Sequence, residues 1–291
     1  MKHALLGVGG VGGLIGAALA SIGEDVTVLV RPEKLRTYPA TLSVERPSEA
    51  ITASAKAAAA LIEPVDVLWI ATKTYQLETA LKGVRSVPRS IVPLLNGVDH
   101  VEVLRAKFGR DSVLPATIAV EAEKIAVGRF VQRSPFANLN LSARGEPLLR
   151  GIVARLRDVG FSCGFIANEQ TLLWRKLCFI GPFALVTSAS GLDKGQIYVD
   201  ASWKRKLTSA FGEACVVAKA SGAEVDLAEL QAVVDKLPAG IRSSMQKDLA
   251  AGRPLELDAL GGPIARGGER HSVDVSTTAA LIAAIRARAV E

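Results

Sequence analysis

The sequence predicts an α/β protein in which a doubly wound parallel sheet forms the N-terminal domain and an all-α domain follows it. In the first half of the 291 residues, short strand-like segments alternate with helical ones, as they do in doubly wound domains. The strand-like segments are apolar at nearly every position, which is typical of parallel strands buried on both faces. From about residue 168 onward such segments become rare. We therefore expect domains at residues 1–166 and 167–291.

The elements of the N-terminal half can be assigned in order along the chain. The predicted strands are residues 4–6, 26–30, 65–71 and 91–95, and the predicted helices are residues 11–22 and 101–108. Residues 121–141 fit an antiparallel extension of the same sheet, with turns near Gly128 and Pro135.

The C-terminal half is predicted to be helical. The helices are residues 169–188, 203–220, 227–237, 241–251 and 277–289. Pro182 should kink or split the first of these, because proline lacks the N–H that a helix interior needs. Gly222 suits a C-terminal cap, and Asp226 suits the N-cap of the helix that follows.

Composition excludes several classes of function. The net charge is +6, but the basic residues are scattered among acidic ones and aromatic residues make up only 5% of the chain. Nucleic-acid binding is therefore not expected, whereas an anionic small molecule suits this charge. The three cysteines are widely spaced with no CxxC, and the histidines are isolated, so neither a disulfide framework nor a metal site is predicted.

No targeting or membrane segment is expected. Glycines break the apolar N-terminal run, and no segment is both long and apolar enough to cross a membrane without helix-breaking residues. We therefore expect a cytoplasmic protein.

A glycine motif follows the first predicted strand. Gly7, Gly9 and Gly12 form G-x-G-x-x-G between that strand and the first helix. In a Rossmann-type domain the first glycine allows a tight turn, the second admits a pyrophosphate, and the third lets helix and strand pack closely. The motif predicts a dinucleotide site, and the alternative is a glycine-rich turn without a ligand.

Polar residues at the ends of three strands indicate the cofactor and the position of the site. Arg31 follows the second strand, where NAD enzymes usually carry an acidic residue, so NADP(H) is favoured. The alternative is a solvated arginine at the strand end. Lys73 and Asn96 follow the next two strands, at the sheet edge where ligands bind in open α/β sheets.

The motifs together resemble the ketopantoate reductase (2-dehydropantoate 2-reductase) family over nearly the whole chain. They are GVGGVGG at 7–13, Arg31, KTYQ at 73–76, LNG at 95–97, WRKL at 174–177 and SSMQKDLAAGRPLELD at 243–258. The resemblance implies NADPH-dependent reduction of a 2-keto acid, ketopantoate to pantoate, in pantothenate biosynthesis.

The resemblance also implies roles for single residues. Lys176 would be the general acid, and Glu256 would hold the substrate hydroxyl. Ser244 and Asn96 would bind the substrate, and Lys73 would lie near both cofactor and substrate; Lys73 and Asn96 are also cofactor-binding candidates.

The implied chemistry is consistent with these residue types. Hydride transfer to a ketone builds negative charge on oxygen, and an ammonium group can stabilise that charge and donate a proton. The apolar helix around Lys176 should lower the pKa of the lysine. The alternatives are a lysine whose stem only covers apolar surface, a solvated Glu256 on a helix face, and a Ser244 that caps a helix.

Two positions on the helix of Lys176 depart from the family pattern. Ile180 and Ala184 stand one and two turns beyond Lys176, where the family usually has asparagines. We therefore expect a less polar 2-keto acid as substrate. The alternatives are an NADP(H)-binding sensor without turnover and a 3-hydroxyacid-type dehydrogenase. The sequence is also compatible with a homodimer.

Overall fold

The computed structural model describes residues 1–290, which form two compact units. The sheet unit contains Met1–Leu95 and His100–Ala167. The helical unit contains Asn96–Asp99 and the chain from Asn168 onward. The short segment Asn96–Asp99 thus belongs to the helical unit although it lies within the N-terminal half of the sequence.

The sheet unit contains twelve strands. In chain order they are β1 (Lys2–Leu6), β2 (Asp25–Leu29), β3 (Thr41–Glu45), β4 (Ile51–Ser54), β5 (Lys56–Ala58), β6 (Val67–Ile70), β7 (Ser90–Pro93), β8 (Ala116–Ala119), β9 (Ala122–Ala126), β10 (Arg129–Gln132), β11 (Asn138–Ser142) and β12 (Ser162–Ile166). The main sheet is parallel, in the order β5-β2-β1-β6-β7. This order confirms the doubly wound fold that the apolar strands predicted.

Five helices accompany these strands. They are α1 (Gly10–Ser21), α2 (Pro32–Leu35), α3 (Leu77–Leu81), α4 (His100–Phe108) and α5 (Glu146–Asp158). Helix α1 is apolar around most of its circumference, and Leu14, Ile15 and Leu19 are fully buried. A helix of this composition needs cover on more than one side, and a second sheet supplies the additional cover.

Residues 121–141 do not extend the main sheet, so that expectation was wrong. Strands β9 and β10 do form an antiparallel hairpin around Gly128. They pair with β3 and β4 in a separate four-stranded sheet that packs on α1. Strand β11 joins a third sheet with β8 and β12. The apolar outer face of α1 explains the separate sheet, since Phe130 of β10 is buried against it.

The helical unit contains seven helices in the residues that the structure describes. They are α6 (Glu169–Ser190), α7 (Lys194–Val199), α8 (Ala201–Ala220), α9 (Leu227–Asp235), α10 (Ser244–Ala250), α11 (Leu257–His271) and α12 (Ser276–Val290). Helix α6 is central and packs against α8, α11 and α12. The expected caps are confirmed. Gly222 has φ +86° just after α8, and the Asp226 carboxylate accepts the N–H of Glu229 at the start of α9.

Helix α6 continues through Pro182, so the expected split does not occur. Gly181 and Pro182 are buried within the unit, and a Cβ on Gly181 would stand 2.9 Å from the Leu260 carbonyl oxygen of α11. Tertiary packing on all sides offsets the hydrogen bond that proline removes. Helix α6 is long and apolar enough to cross a membrane by length and composition, but 78% of its most apolar window is buried in the protein. It is a core helix.

Candidate active site

Three predicted site residues meet in the helical unit. Lys176 Nζ donates to Asn96 Oδ1 at 3.0 Å, and Asn96 Nδ2 donates to Glu256 Oε2 at 3.2 Å. The side-chain amide of Asn96 therefore bridges an ammonium group and a carboxylate. Its orientation satisfies both neighbours, because only the oxygen can accept from lysine and only the nitrogen can donate to glutamate.

Each of the three residues is held by a different element. Lys176 lies on the core helix α6, and Glu256 is the buried N-cap residue of α11. Asn96 precedes Gly97, whose φ is +84° and whose Cβ, if present, would lie 2.5 Å from the Ala259 carbonyl oxygen. Only glycine allows both this backbone conformation and this close approach to α11. The Asn-Gly pair is therefore needed to bring Asn96 to Glu256.

The buried environment of Lys176 lowers the pKa of its ammonium group. Burial lowers the pKa of the Lys176 ammonium to about 8, and the nearby Glu256 carboxylate partly opposes this shift. The lysine thus remains mostly protonated at neutral pH but can lose its proton readily. Such a group is suited to proton transfer near neutrality.

Ser244 lies at the exposed start of α10 rather than among the three bridged residues. The helix cap there is Ser243, whose Oγ accepts the backbone N–H of Gln246 and lies 2.7 Å from Thr187 Oγ1 of α6. The capping alternative considered for Ser244 therefore applies to its neighbour. The Ser244 hydroxyl makes no hydrogen bond within residues 1–290, and its contact with substrate stays a prediction.

The face of α6 beyond Lys176 is apolar. Ile180 is half-buried and packs against the core of the helical unit, and Ala184 is a buried member of that core. Neither side chain can offer a hydrogen bond to a ligand. This part of the helix therefore provides an apolar surface one turn from the lysine.

The glycine loop of the sheet unit has the three properties expected of its motif. Gly7 has φ +94°, and a Cβ there would lie 2.6 Å from the Thr72 nitrogen at the end of β6. A Cβ on Gly12 would lie 2.0 Å from the Gly7 carbonyl oxygen. A Cβ on Gly9 would meet no atom within 4 Å. The outer two glycines are thus required by the turn and its packing, whereas the space at Gly9 is open to a ligand.

Sequence reasoning missed three further residues around this loop. Cβ atoms on Gly10 and Gly13 would collide with the Ala122 carbonyl of β9 and the Phe130 ring of β10, at 2.0 and 2.3 Å. These two glycines therefore belong to the second sheet's packing. Thr72 Oγ1 is buried without a hydrogen-bond partner beside the Gly7 turn. Its place directly after a buried strand was the signal that could have identified it.

Arg31 and Lys73 lie where the sequence predicted, at the carboxyl ends of β2 and β6. Arg31 is exposed and is the N-cap residue of α2, and its side chain makes no ion pair within residues 1–290. Lys73 is half-buried and precedes a single 3-10 turn, Thr74–Gln76. Both remain predicted ligand contacts.

Comparison with known proteins identifies relatives over the whole chain. Residues 3–144 match the family model "Ketopantoate reductase PanE/ApbA", and residues 168–289 match "Ketopantoate reductase PanE/ApbA C terminal". The 2-dehydropantoate 2-reductase of Caulobacter vibrioides is 30% identical over 305 aligned residues, which cover 99% of both chains.

Solved structures show the same fold. D-mandelate dehydrogenase with NADH and anilino(oxo)acetate superimposes with a TM-score of 0.87 at 20% identity, covering 100% of this chain and 99% of the other. A dimeric ketopantoate reductase from Staphylococcus aureus gives 0.81 at 19% identity, with the same coverage. The two family models and the full-length relative show that the chain belongs to the ketopantoate reductase PanE/ApbA family and is a 2-dehydropantoate 2-reductase-like oxidoreductase.

Proposed function

We propose that the protein uses NADP(H) to reduce a 2-keto acid to the 2-hydroxy acid. The observation that carries this proposal is the Asn96 amide bridge between Lys176 and Glu256. It combines a proton donor of lowered pKa with a buried carboxylate. In this scheme the sheet domain (residues 1–166) binds the cofactor, and the helical domain (residues 167–291) binds the substrate and supplies the acid.

The residues of the glycine loop fit a dinucleotide. The open space at Gly9 and the first N–H groups of α1 suit a pyrophosphate, and no acidic side chain lies in the first turn of that helix. Thr72 Oγ1 offers a buried hydroxyl beside the loop. Arg31 suits the 2′-phosphate of NADP(H), because a guanidinium binds phosphate with two parallel hydrogen bonds.

A nicotinamide dinucleotide held by the glycine loop and Arg31 would supply a hydride to the keto carbon. Lys176 then stabilises the charge that develops on the keto oxygen and donates its proton there. Asn96 holds the ammonium in place, and Glu256 accepts a hydrogen bond from the hydroxyl of the 2-hydroxy acid, the substrate of the reverse reaction. Ser244 binds the substrate, and Lys73 adds positive charge near cofactor and substrate.

We further propose that the substrate carries an apolar side chain. Ile180 and Ala184 offer no hydrogen-bonding group one and two turns beyond Lys176, so a polar substituent would be desolvated without a partner there.

A matched pair of substrates tests this proposal. Ketopantoate and 3,3-dimethyl-2-oxobutanoate differ only in the terminal hydroxyl, and benzoylformate adds an aromatic alternative. We expect NADPH oxidation with all three acids and a higher kcat/KM for the two that lack the hydroxyl. A preference for ketopantoate would contradict the altered specificity. NADPH binding without turnover on any 2-keto acid would favour the sensor, and turnover only on 3-hydroxy acids would favour the other dehydrogenase class.

The pH dependence of the reaction should follow Lys176. Reduction needs the ammonium form, so we expect kcat/KM for the keto acid to fall as pH rises through about 8. Oxidation of the hydroxy acid needs the neutral amine, so its kcat/KM should rise through the same value. Initial rates measured in both directions check this, and parallel profiles in the two directions would argue against Lys176 as the proton donor.

Arg31→Gln should change the choice of cofactor. We expect KM for NADPH to rise about tenfold or more, since hydrogen bonds to charged groups contribute about 1.5–3 kcal/mol, while KM for NADH stays constant. Arg36→Gln is the matched control, because Arg36 is also exposed and lies at the end of the same short helix. Equal KM values for NADPH in Arg31→Gln and wild type would contradict NADP(H) selection by Arg31.

Gly9→Ala tests the open space in the glycine loop. Gly9 has an ordinary φ of −89°, so alanine should fold with at most about 1 kcal/mol lost at the helix N-cap. Crowding of the bound nucleotide should nevertheless weaken NADP(H) binding about 10- to 100-fold. Gly212→Ala is the control, since a Cβ on Gly212 also meets no atom within 4 Å. Titration calorimetry should therefore separate the two variants, and tight binding by Gly9→Ala would place the nucleotide elsewhere.

Two further assignments are proposals of the same kind. We propose a homodimer, as in the dimeric relative from Staphylococcus aureus, and a cytoplasmic location. Light scattering of the purified chain tests the first, and fractionation of the source cells tests the second.

A further inference from the structure

An ion-paired arginine on α11 links the segment that carries Asn96 to the start of that helix. Arg266 Nη2 donates to Asp99 Oδ2 at 2.5 Å, and Arg266 Nη1 donates to Asp258 Oδ1 at 2.8 Å. Asp99 lies three residues after Asn96, and Asp258 lies two residues after Glu256. One guanidinium therefore connects the two chain segments that meet at the amide bridge.

Gly262 leaves space on the surface of α11 for the guanidinium of Arg266. A Cβ on Gly262 would lie 2.5 Å from Arg266 Nη2 and 2.6 Å from Asp258 Oδ1. Gly262 stands one turn from each of these residues, so its missing side chain leaves the space in which the guanidinium lies along the helix. Glycine within a helix is destabilising relative to alanine, and the space that it leaves for Arg266 accounts for its presence.

Gly97 and Val98 also hold the middle of this segment within the helical unit, but neither residue lies at its Asp99 end. Gly97 approaches the Ala259 carbonyl oxygen, and Val98 packs on the core of the helical unit. The ion pair between Asp99 and Arg266 fixes the other end of the segment, opposite Asn96. With the Asp99 end free, Asn96 would lose one of the backbone restraints that keep its amide between Lys176 and Glu256.

We propose that Arg266 is a positioning residue for the reductase site, acting through Asp99 to hold Asn96 between Lys176 and Glu256. The expected effect on catalysis rests on the proposed function. The expected effect on the position of Asn96 rests on geometry alone. Arg266 and its two partners are substantially exposed, with relative side-chain exposures of 45%, 51% and 79%. Ion pairs this exposed contribute little to global stability, so the effect should be local.

The deciding variant is Arg266→Gln, with Arg270→Gln one turn later as the matched control. Amide hydrogen exchange is measured by mass spectrometry on a peptide covering residues 94–99, without substrate or cofactor. We expect several-fold faster exchange in Arg266→Gln, no change in Arg270→Gln, and an unchanged melting temperature in both. Gly262→Ala should also accelerate exchange, because its methyl group displaces the guanidinium.

Kinetics supply the second readout. In Arg266→Gln we expect kcat to fall about two- to tenfold, the range that the loss of two exposed ion pairs allows, while Kd for NADPH is unchanged. Arg266→Lys should recover part of kcat because it restores one of the two ion pairs. Unchanged exchange in Arg266→Gln, or equal acceleration in Arg270→Gln, would overturn the proposal. Exchange is measured without turnover, so this result stands even if no 2-keto acid proves to be a substrate.

Discussion

Lys176→Ala should abolish most keto-acid reduction while leaving NADPH binding intact. We expect kcat to fall about 10²- to 10⁴-fold, the usual contribution of a positioned proton donor. The loss has a direct physical cause, because the charge on the reduced oxygen would then lack the ammonium group that stabilises it and donates the proton. Lys176 lies in the helical unit and the glycine loop lies in the sheet unit. The affinity for NADPH should therefore stay constant while kcat falls. Stopped-flow rates and NADPH fluorescence titration measure the two quantities separately.

The control for this variant is Lys219→Ala, at the exposed last turn of α8. It removes an equal charge from the same unit without touching the bridge. A Lys176→Ala enzyme that keeps more than about a tenth of the wild-type kcat would rule out the lysine as general acid. Full loss of NADPH binding in that variant would show that the substitution acts on the fold or on the cofactor instead.

Gly97→Ala should disrupt the site from the backbone. The φ of +84° disfavours any residue with a Cβ by about 1–2 kcal/mol, and the new methyl group would stand 2.5 Å from the Ala259 carbonyl oxygen. The segment must then move away from α11 and take Asn96 with it. We expect kcat/KM to fall about 10²-fold, as for a misplacement of roughly 1 Å.

A matched glycine separates the two causes of that effect. Gly222 has nearly the same φ, +86°, but a Cβ on it would meet no atom within 4 Å. Gly222→Ala should therefore show a similar loss of stability in chemical denaturation and an unchanged kcat/KM. Equal kinetic losses in the two variants would mean that general destabilisation by a strained backbone, rather than the approach of Gly97 to α11, causes the loss of activity.

The main sheet, and the expected ligand site at the carboxyl ends of its strands, were predictable because both depend on short-range sequence patterns. Apolar strands buried on both faces, glycines at fixed spacing and polar residues at strand ends are all local in sequence. The second sheet was not predictable in this way, because its pairing of β10 with β3 joins residues that are far apart. The second sheet forms because the outer face of α1 is apolar and needs cover. That face can be recognised only once α1 has been positioned on the main sheet.

Helix α11 shows a different limit of sequence reasoning. It contains Gly261, Gly262, Gly267, Gly268 and Pro263, which read as a loop. Gly267 and Gly268 are needed because Val217 and Val275 pack directly on the helix, and Gly262 is needed for the guanidinium of Arg266. Tertiary contacts thus override low helix propensity there. Missing this helix also hid the N-cap position of Glu256 and the ion pairs of Arg266.

The Asn96-Gly97 pair also bears on the chemical lifetime of the protein. An asparagine followed by glycine is especially prone to lose its side-chain amide as ammonia, because glycine has no Cβ to hinder attack by its backbone nitrogen. The product aspartate would face the Glu256 carboxylate with a like charge instead of a donor. In the folded state Asn96 is held at both ends of its amide, and Gly97 is fixed against Ala259. Excursions that loosen this segment therefore expose the protein to irreversible ageing at a single residue of its candidate active site.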